Sequence, residues 1–361
     1  MKRFHCDRCG MLLTLENDLC TRCGLRLSLL PEAMRMVAWD QAAGDQPRLG
    51  DRTWRPCRNA TEHAVCNWAI ADDDPGDYCL SCRLTRVIPD LGVEENLVRW
   101  RRLEAAKRRL LIGLVGLGLL TRGDMTASDP PMSFQFLADV PGESGGVLTG
   151  HADGLITINI AEADDAERER RRVQLGEPYR TIVGHLRHEC GHHYWERLIR
   201  PSSRRLARFR ERFGDERADY GEALKAHYAN GPVPAWSTHY VSAYAASHPW
   251  EDWAETWAHY LHMIDSLETA FESGLWIQPR HGADPAFAPR PPLSANRMGP
   301  FRRMIVRWMS LTYVLNDFNR GLGLQDAYPF VLSDAVLAKL EFVHETVGAK
   351  RRRGRSAMRA P

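Results

Sequence analysis

The sequence predicts an α+β chain: a small metal-held N-terminal region, then a larger domain with a small twisted sheet and a mostly helical second half. Eight of the nine cysteines fall before residue 83, mostly in CxxC pairs. Gly154 to Ile160 (GLITINI) alternates apolar and polar residues, the mark of a half-buried strand. Helical periodicity recurs from residue 94 onward, and the length of 361 residues suits two or three domains.

Cys6 and Cys9 with Cys20 and Cys23 form CxxC-x10-CxxC. Two such pairs supply four thiolates to a closed, structural zinc site. A rubredoxin-like iron site uses the same ligands, so spacing leaves the metal open. Cys57, Cys66, Cys79 and Cys82 make a second set with a wider first pair, and His63 competes for one position. The expected organisation is a 1–92 zinc-binding region, with a zinc ribbon at 1–30 and a second four-cysteine site at 50–92. Metal binding supplies the folding energy of such small units. Zinc ribbons also recruit partners, so a protein partner is a second use for this region.

Residues 94–121 place Leu97, Trp100, Leu103, Ala106, Leu110 and Leu114 on one helical side and many arginines on the other. The charged stretch 162–172 suits an exposed loop or helix. The polar stretch 201–235 is expected to cover the site built by the segments on either side of it. Residues 278–297, rich in Pro, Gly and Ala, suit a loop, and 300–318 and 333–347 suit helices.

The formal net charge is +2, and six basic residues crowd into Lys350–Arg359, leaving a slightly acidic body. This balance, with no aromatic–basic interleaving in 1–90, argues against a nucleic-acid-binding role. Residues 348–361 are expected to be a disordered basic tail. The longest apolar run, Leu110 to Leu120, has 11 residues; a membrane span needs about 20. The start of the chain has no secretory pattern, and cysteines at metal-ligand spacing suit a reducing compartment. A cytoplasmic location without membrane contact is the expectation.

The chemistry concentrates in GHLRHECGHHYWERL. His188 and His192, four apart on a helix, place both imidazoles on one face, where they can bind zinc. Glu189 can take a proton from a water at that metal. Cys190, about 200° round the helix from His188, should pack away from it. His185 suits a supporting role. A catalytic zinc needs a third protein ligand, and HPWEDWAETWAHYLH supplies one. Glu251 is the candidate, Glu255 would accept the spare ring N–H of a zinc-bound histidine, and His259 is an alternative third ligand. His248 could point into the cleft. Tyr244, seven residues before Glu251, could donate to an oxyanion; the spacing fits an ordinary half-buried tyrosine equally well.

The order HExxH, Tyr, ExxxE resembles the gluzincins related to anthrax lethal factor. Glu251-Asp252-Trp253-Ala254-Glu255 is similar to their Glu-aromatic-aromatic-Ala-Glu string, with Asp252 departing from it. That resemblance implies Glu251 as ligand, Glu255 behind it and Tyr244 as transition-state stabiliser. The strings CNW (66–68), CLSCRLTRVIPDL (79–91), LTGHADGLITINIAEADDAERERRR (148–172), YRTIVGHLRHECGHHYW (179–195) and HPWEDWAETWAHYLH (248–262) also resemble the bacterial zinc-binding metallopeptidases with an N-terminal zinc ribbon. Both resemblances imply a zincin-like metallopeptidase fold; together with the cysteine spacings, the expectation is such a domain at 93–347 in a chain with one catalytic and two structural zincs. It would hydrolyse a peptide or protein substrate, with Glu189 as general base. In zincins an extended substrate lies on an edge strand, and Gly154–Ile160 is the candidate. The rival reading is a zinc-ribbon adaptor whose HExxH segment is inactive or structural. Intact Glu189, a third-ligand candidate and Tyr244 favour the enzyme.

Overall fold

The pentapeptides Cys6–Gly10 and Cys20–Gly24 fold alike. In each, the glycine N–H donates to the first cysteine's carbonyl at 2.8 Å, and the glycine sits at φ +73°. Only a residue free of a Cβ takes that left-handed turn cheaply, so CxxCG folds the thiols back on themselves. The Sγ atoms of Cys6 and Cys23 are 3.8 Å apart, those of Cys9 and Cys20 3.6 Å, and those of Cys66 and Cys79 3.6 Å. A disulfide would hold them near 2.05 Å, whereas thiolates about 2.3 Å from a tetrahedral zinc stand about 3.8 Å apart. All nine cysteines are free, and both four-cysteine sets converge as ligand groups. His63 packs edge-on against Trp100 at 5.6 Å instead. The fully gathered thiol set leaves it no position to compete for.

The computed structural model describes residues 2–128, 131–139, 146–175, 181–277 and 299–357; the loop suggested at 278–297 lies outside them. They divide into two compact units, one of Lys2–Val115 with Leu120–Glu169, the other of Gly116–Leu119 and the chain from Arg170 on.

In the first unit, β1 (Phe4–His5) pairs with β2 (Leu12–Leu13), and β3 (Arg26–Leu30) with β4 (Arg35–Trp39), all antiparallel. β5 (Arg48–Leu49), β6 (Arg52–Pro56) and β7 (Ala69–Ala71) form a three-stranded antiparallel sheet, and the short α1 (Arg58–Thr61) follows Cys57. Leu30, Val37, Trp54, Ala69 and Ala71 share one core. β8 (Thr85–Val87), α2 (Glu94–Gly116), α3 (Arg122–Thr126), β9 (Ser133–Leu137), β10 (Gly150–Ala152) and β11 (Leu155–Asn159) follow, then α4 (Asp165–Leu175). The sheet order is β10-β11-β9-β8, with β10 antiparallel to β11 and the other pairs parallel.

The alternation in Gly154–Ile160 is realised, because Ile156, Ile158 and Ile160 are buried. β11 is not an edge strand, however. Asp153 (φ +47°) and Gly154 (φ +82°) make a tight hairpin that lays β10 along one side, while β9 takes the other. From Leu155 to Thr157 it has a strand on both sides, so that stretch offers no free edge to a substrate strand.

α2 and the four-stranded sheet lie in the same compact unit as the cysteine-rich region. A charged cluster on α2 helps to hold them there. Lys107 and Glu104 are fully buried, 2.8 Å apart, and Lys107 also donates to Thr85 of β8. Arg108, also buried, donates to the Val65 carbonyl at 2.7 Å. Burial opposes its charge, but the thiolates of Cys66, Cys82 and Cys79 with Glu104 more than restore it.

The second unit is helical: α5 (Ile182–Leu198), α6 (Ser203–Phe213), α7 (Tyr220–Asn230), α8 (Pro249–Glu272), α9 (Phe301–Gly321) and α10 (Asp334–Ala357). Thr181 caps α5 by accepting from the Gly184 N–H at 2.9 Å. His248 caps α8, and Pro249 opens it where no N–H is needed. Trp253 and Trp257 are completely buried, with Tyr194 stacked on Trp257 at 4.9 Å. α10 runs on through Ala357, into the stretch for which composition suggests a tail. Among the described residues no helix is long and apolar enough to cross a membrane.

Replacing Cys79 with Ser should lower the zinc content by one per chain and reduce the thermal midpoint. Unchanged metal content would contradict a four-thiolate site.

Candidate metal centre

Helices α5 and α8 meet at a glycine. A Cβ on Gly191 would stand 3.0 Å from the Ala254 Cα and 3.3 Å from its carbonyl oxygen. The Trp253 indole N–H donates to the Gly191 carbonyl at 2.8 Å. This close backbone approach brings the acids of α8 to the histidines of α5.

The His188 and His192 Nε2 atoms are 3.3 Å apart. Glu251 Oε2 is 3.0 Å from His188 Nε2, and its Oε1 is 3.6 Å from His192 Nε2. Donors 2.0–2.1 Å from a tetrahedral zinc stand about 3.3 Å from one another; the two ring nitrogens have that spacing, the Glu251 carboxylate meets each of them through a different oxygen, and the three residues gather as one ligand group. His188 Nδ1 lies 2.7 Å from Glu255 Oε1. A carboxylate there takes the Nδ1–H and leaves the Nε2 lone pair facing Glu251. The other Glu255 oxygen accepts from Ser242 at 2.7 Å. Glu251 Oε1 accepts from the Tyr220 hydroxyl at 2.8 Å, while Oε2 is buried with no hydrogen-bond partner among the described residues. Burial opposes a proton on His188, yet Glu251 and Glu255 raise the ring well above its ordinary value; a cation in the 3.0 Å contact would take that proton's place.

Electrostatics point the same way. Burial pushes both carboxyls upward, but His192 and His188 bring Glu251 down to about 2, and His188 brings Glu255 down to about 2. Glu189 is buried too, yet His185, 3.2 Å away, and the neighbouring rings hold it below its ordinary value. Three ionised carboxylates around buried imidazoles favour a bound cation.

Tyr244 lies beside the triangle, its ring 5.9 Å from that of His188. Burial and then Glu251 raise its phenol above the ordinary value, so it stays a donor. The other histidines are engaged elsewhere. His259 sits against Tyr328, its Nδ1 2.7 Å from the hydroxyl, outside the donor triangle. His248 does not point into a cleft, because its Nδ1 accepts from the Trp250 N–H and its Nε2 donates to the Ala218 carbonyl. Cys190 is a core thiol that accepts from Trp257 and is pushed up to about 12, chiefly by burial.

The comparisons with known proteins agree with this chemistry. The profile of a family described as “Putative zinc-binding metallo-peptidase” matches residues 96–346. The chain belongs to that family. Its match contains all of the donor triangle, and a zinc-ribbon domain profile matches residues 3–93, which hold both four-cysteine sets. Among relatives of this chain, an uncharacterized protein of Mycobacterium tuberculosis is 41% identical over 349 residues, 96% of this chain and 95% of that protein. An uncharacterized protein of Mycobacterium bovis matches with the same figures. No solved structure matches the chain.

Sequence reasoning missed four contributors to the candidate site. Tyr220 and Ser242 lie in polar stretches with no spacing rule to flag them. Lys339 sits far along the chain, yet its Nζ is 2.6 Å from Asp252 and donates to the His239 carbonyl at 2.6 Å. Asp252, the residue that departs from the lethal-factor string, is thus a buried clamp. Burial pushes its carboxyl up to about 7, against the pull of Lys339. Gly191 alone left a signal, since a glycine inside a helix costs about 1 kcal/mol against alanine and calls for a packing reason.

Gly191→Ala should push α5 from α8, cost about 1–3 kcal/mol and weaken metal binding at the triangle, as read by denaturation and zinc titration. Lys339→Met, which strands Asp252 in the core, should cost about 3–5 kcal/mol; a loss below about 1 kcal/mol in chemical denaturation would refute the clamp.

Proposed function

We propose that this chain is a zinc-dependent peptidase of gluzincin type, with a zincin-like arrangement similar to the lethal-factor group. The observation that carries the reading is the convergence of His188, His192 and Glu251 into one ligand group, with an ionised Glu189 on the same helix as the two histidines. Those three residues would hold the metal, and Glu255 would orient His188. Zinc in this position supplies Lewis-acid activation of a water and of a peptide carbonyl.

The chain's own groups do the rest. Glu189, steered by His185, takes the proton of the attacking water and returns it to the departing amine. Tyr244, kept protonated by burial, donates to the oxyanion of the tetrahedral intermediate. Ser242 holds Glu255 in turn, which fixes the His188 tautomer. The four-cysteine sites are structural zincs, and their unpaired thiols suit a reducing, cytoplasmic setting. The zinc-ribbon region is also a candidate surface for a protein partner.

Wild-type protein should carry three zincs per chain, falling to two in His188→Ala and in Glu251→Ala. Glu189→Gln should keep all three while peptide cleavage drops at least about 100-fold, in line with general acid–base contributions of about 10²–10⁴. Two zincs in wild type, unchanged in both variants, would sink the metal site and favour an adaptor role. Full activity in Glu189→Gln would sink the mechanism.

A further inference from the structure

Helix α7 is an odd element for a folded domain, because none of its side chains is buried. A hydrophobic stripe is what normally seats a helix. α7 instead reaches the rest of its unit through polar and aromatic contacts. The Tyr220 hydroxyl donates to Glu251 Oε1 at 2.8 Å, and its ring lies 5.2 Å from His248 and 6.0 Å from Trp250. His227, two turns on, stands 6.0 Å from the Tyr244 ring. Left-handed glycines bound the segment, Gly214 at φ +99° before it and Gly231 at φ +75° after it. Its inward contacts therefore run to Glu251 of the donor triangle, to the phenol beside it and to the residues that start α8.

The two Glu251 oxygens are not equivalent. Oε1 accepts from Tyr220 and stands 3.6 Å from His192 Nε2, while Oε2 is buried, 3.0 Å from His188 Nε2. A carboxylate with one oxygen pinned presents the other in a fixed direction, which is how a hydrogen-bonded neighbour raises metal affinity. Resting on the zinc-site reading under Proposed function, we propose that Tyr220 is a positioning residue for the metal centre. It pins Oε1 so that Oε2 faces the ion, and it thereby couples the docking of α7 to metal occupancy. The coupling is reciprocal: a metal that holds Glu251 in place also holds the acceptor to which Tyr220 docks.

The test uses the full chain with both four-cysteine sites filled. Zinc affinity at the third site is measured by competition with a chelator in wild type, Tyr220→Phe and Lys225→Ala. Amide hydrogen exchange across 219–231 is followed with and without that zinc. Phenylalanine keeps the ring and removes only the hydroxyl, so a packing role would leave affinity unchanged. The expected result is zinc binding about 10–100-fold weaker in Tyr220→Phe, with α7 protected by zinc in wild type and no longer in the variant. Lys225, exposed on the same helix, should behave as wild type when replaced. Unchanged affinity in Tyr220→Phe, or α7 amides that exchange alike with and without zinc in wild type, overturns the proposal. A wild type that takes up no third zinc overturns the metal reading itself.

Discussion

The contact of α5 with α8 at Gly191 and Ala254 is the constraint on which the candidate centre depends. Histidines on one helix and acids on another can form a donor triangle only if the two axes come close enough for short side chains to meet. Glu and His reach only a few ångströms from their backbones. A methyl group at residue 191 would use up part of that reach. The buried indoles of Trp253 and Trp257, on the same stretch of α8, fill the space on either side and hold the distance.

Around this contact the charges are layered. Nearest are the imidazoles of His188 and His192 with the Glu251 carboxylate; behind them Glu255 is held by Ser242. On another side of α8, Asp252 is tied to Lys339, whose second bond goes to the backbone of residue 239. That lysine thus fixes the segment that delivers Ser242 and Tyr244. Every one of these layers is polar and largely buried, so each is expensive unless its neighbour is in place. Geometry at the centre is therefore specified from several directions at once.

What was legible in the sequence was whatever obeys a fixed period. Helix spacing put His188 with His192 and Glu251 with Glu255, and cysteine spacing marked both thiolate sets. Period two marked the buried face of β11. What stayed hidden depends on which segments meet. β11 lost its assigned edge to a three-residue partner too short to announce itself. Arg108 falls off the apolar side of α2, because a charged residue next to a metal-thiolate set can be buried and a pattern of hydrophobicity cannot say so; Lys107 lies on the apolar side, one turn from Leu103 and Leu110, with Glu104 and Thr85 as its partners. Tyr220 and Lys339 act across long stretches of chain, where no local rule connects them to Glu251 or Asp252.

The buried arginine of α2 carries a consequence for how this chain matures. Four thiolates around a divalent metal leave a net charge of about −2, and Arg108 is sealed in beside three of those cysteines. Stripped of the metal, the thiols would take up protons and the guanidinium would keep its charge with much less to balance it. Glu104 alone would then be left to offset Arg108, so the seating of the long helix would be tied to the ion held by the cysteines that precede it.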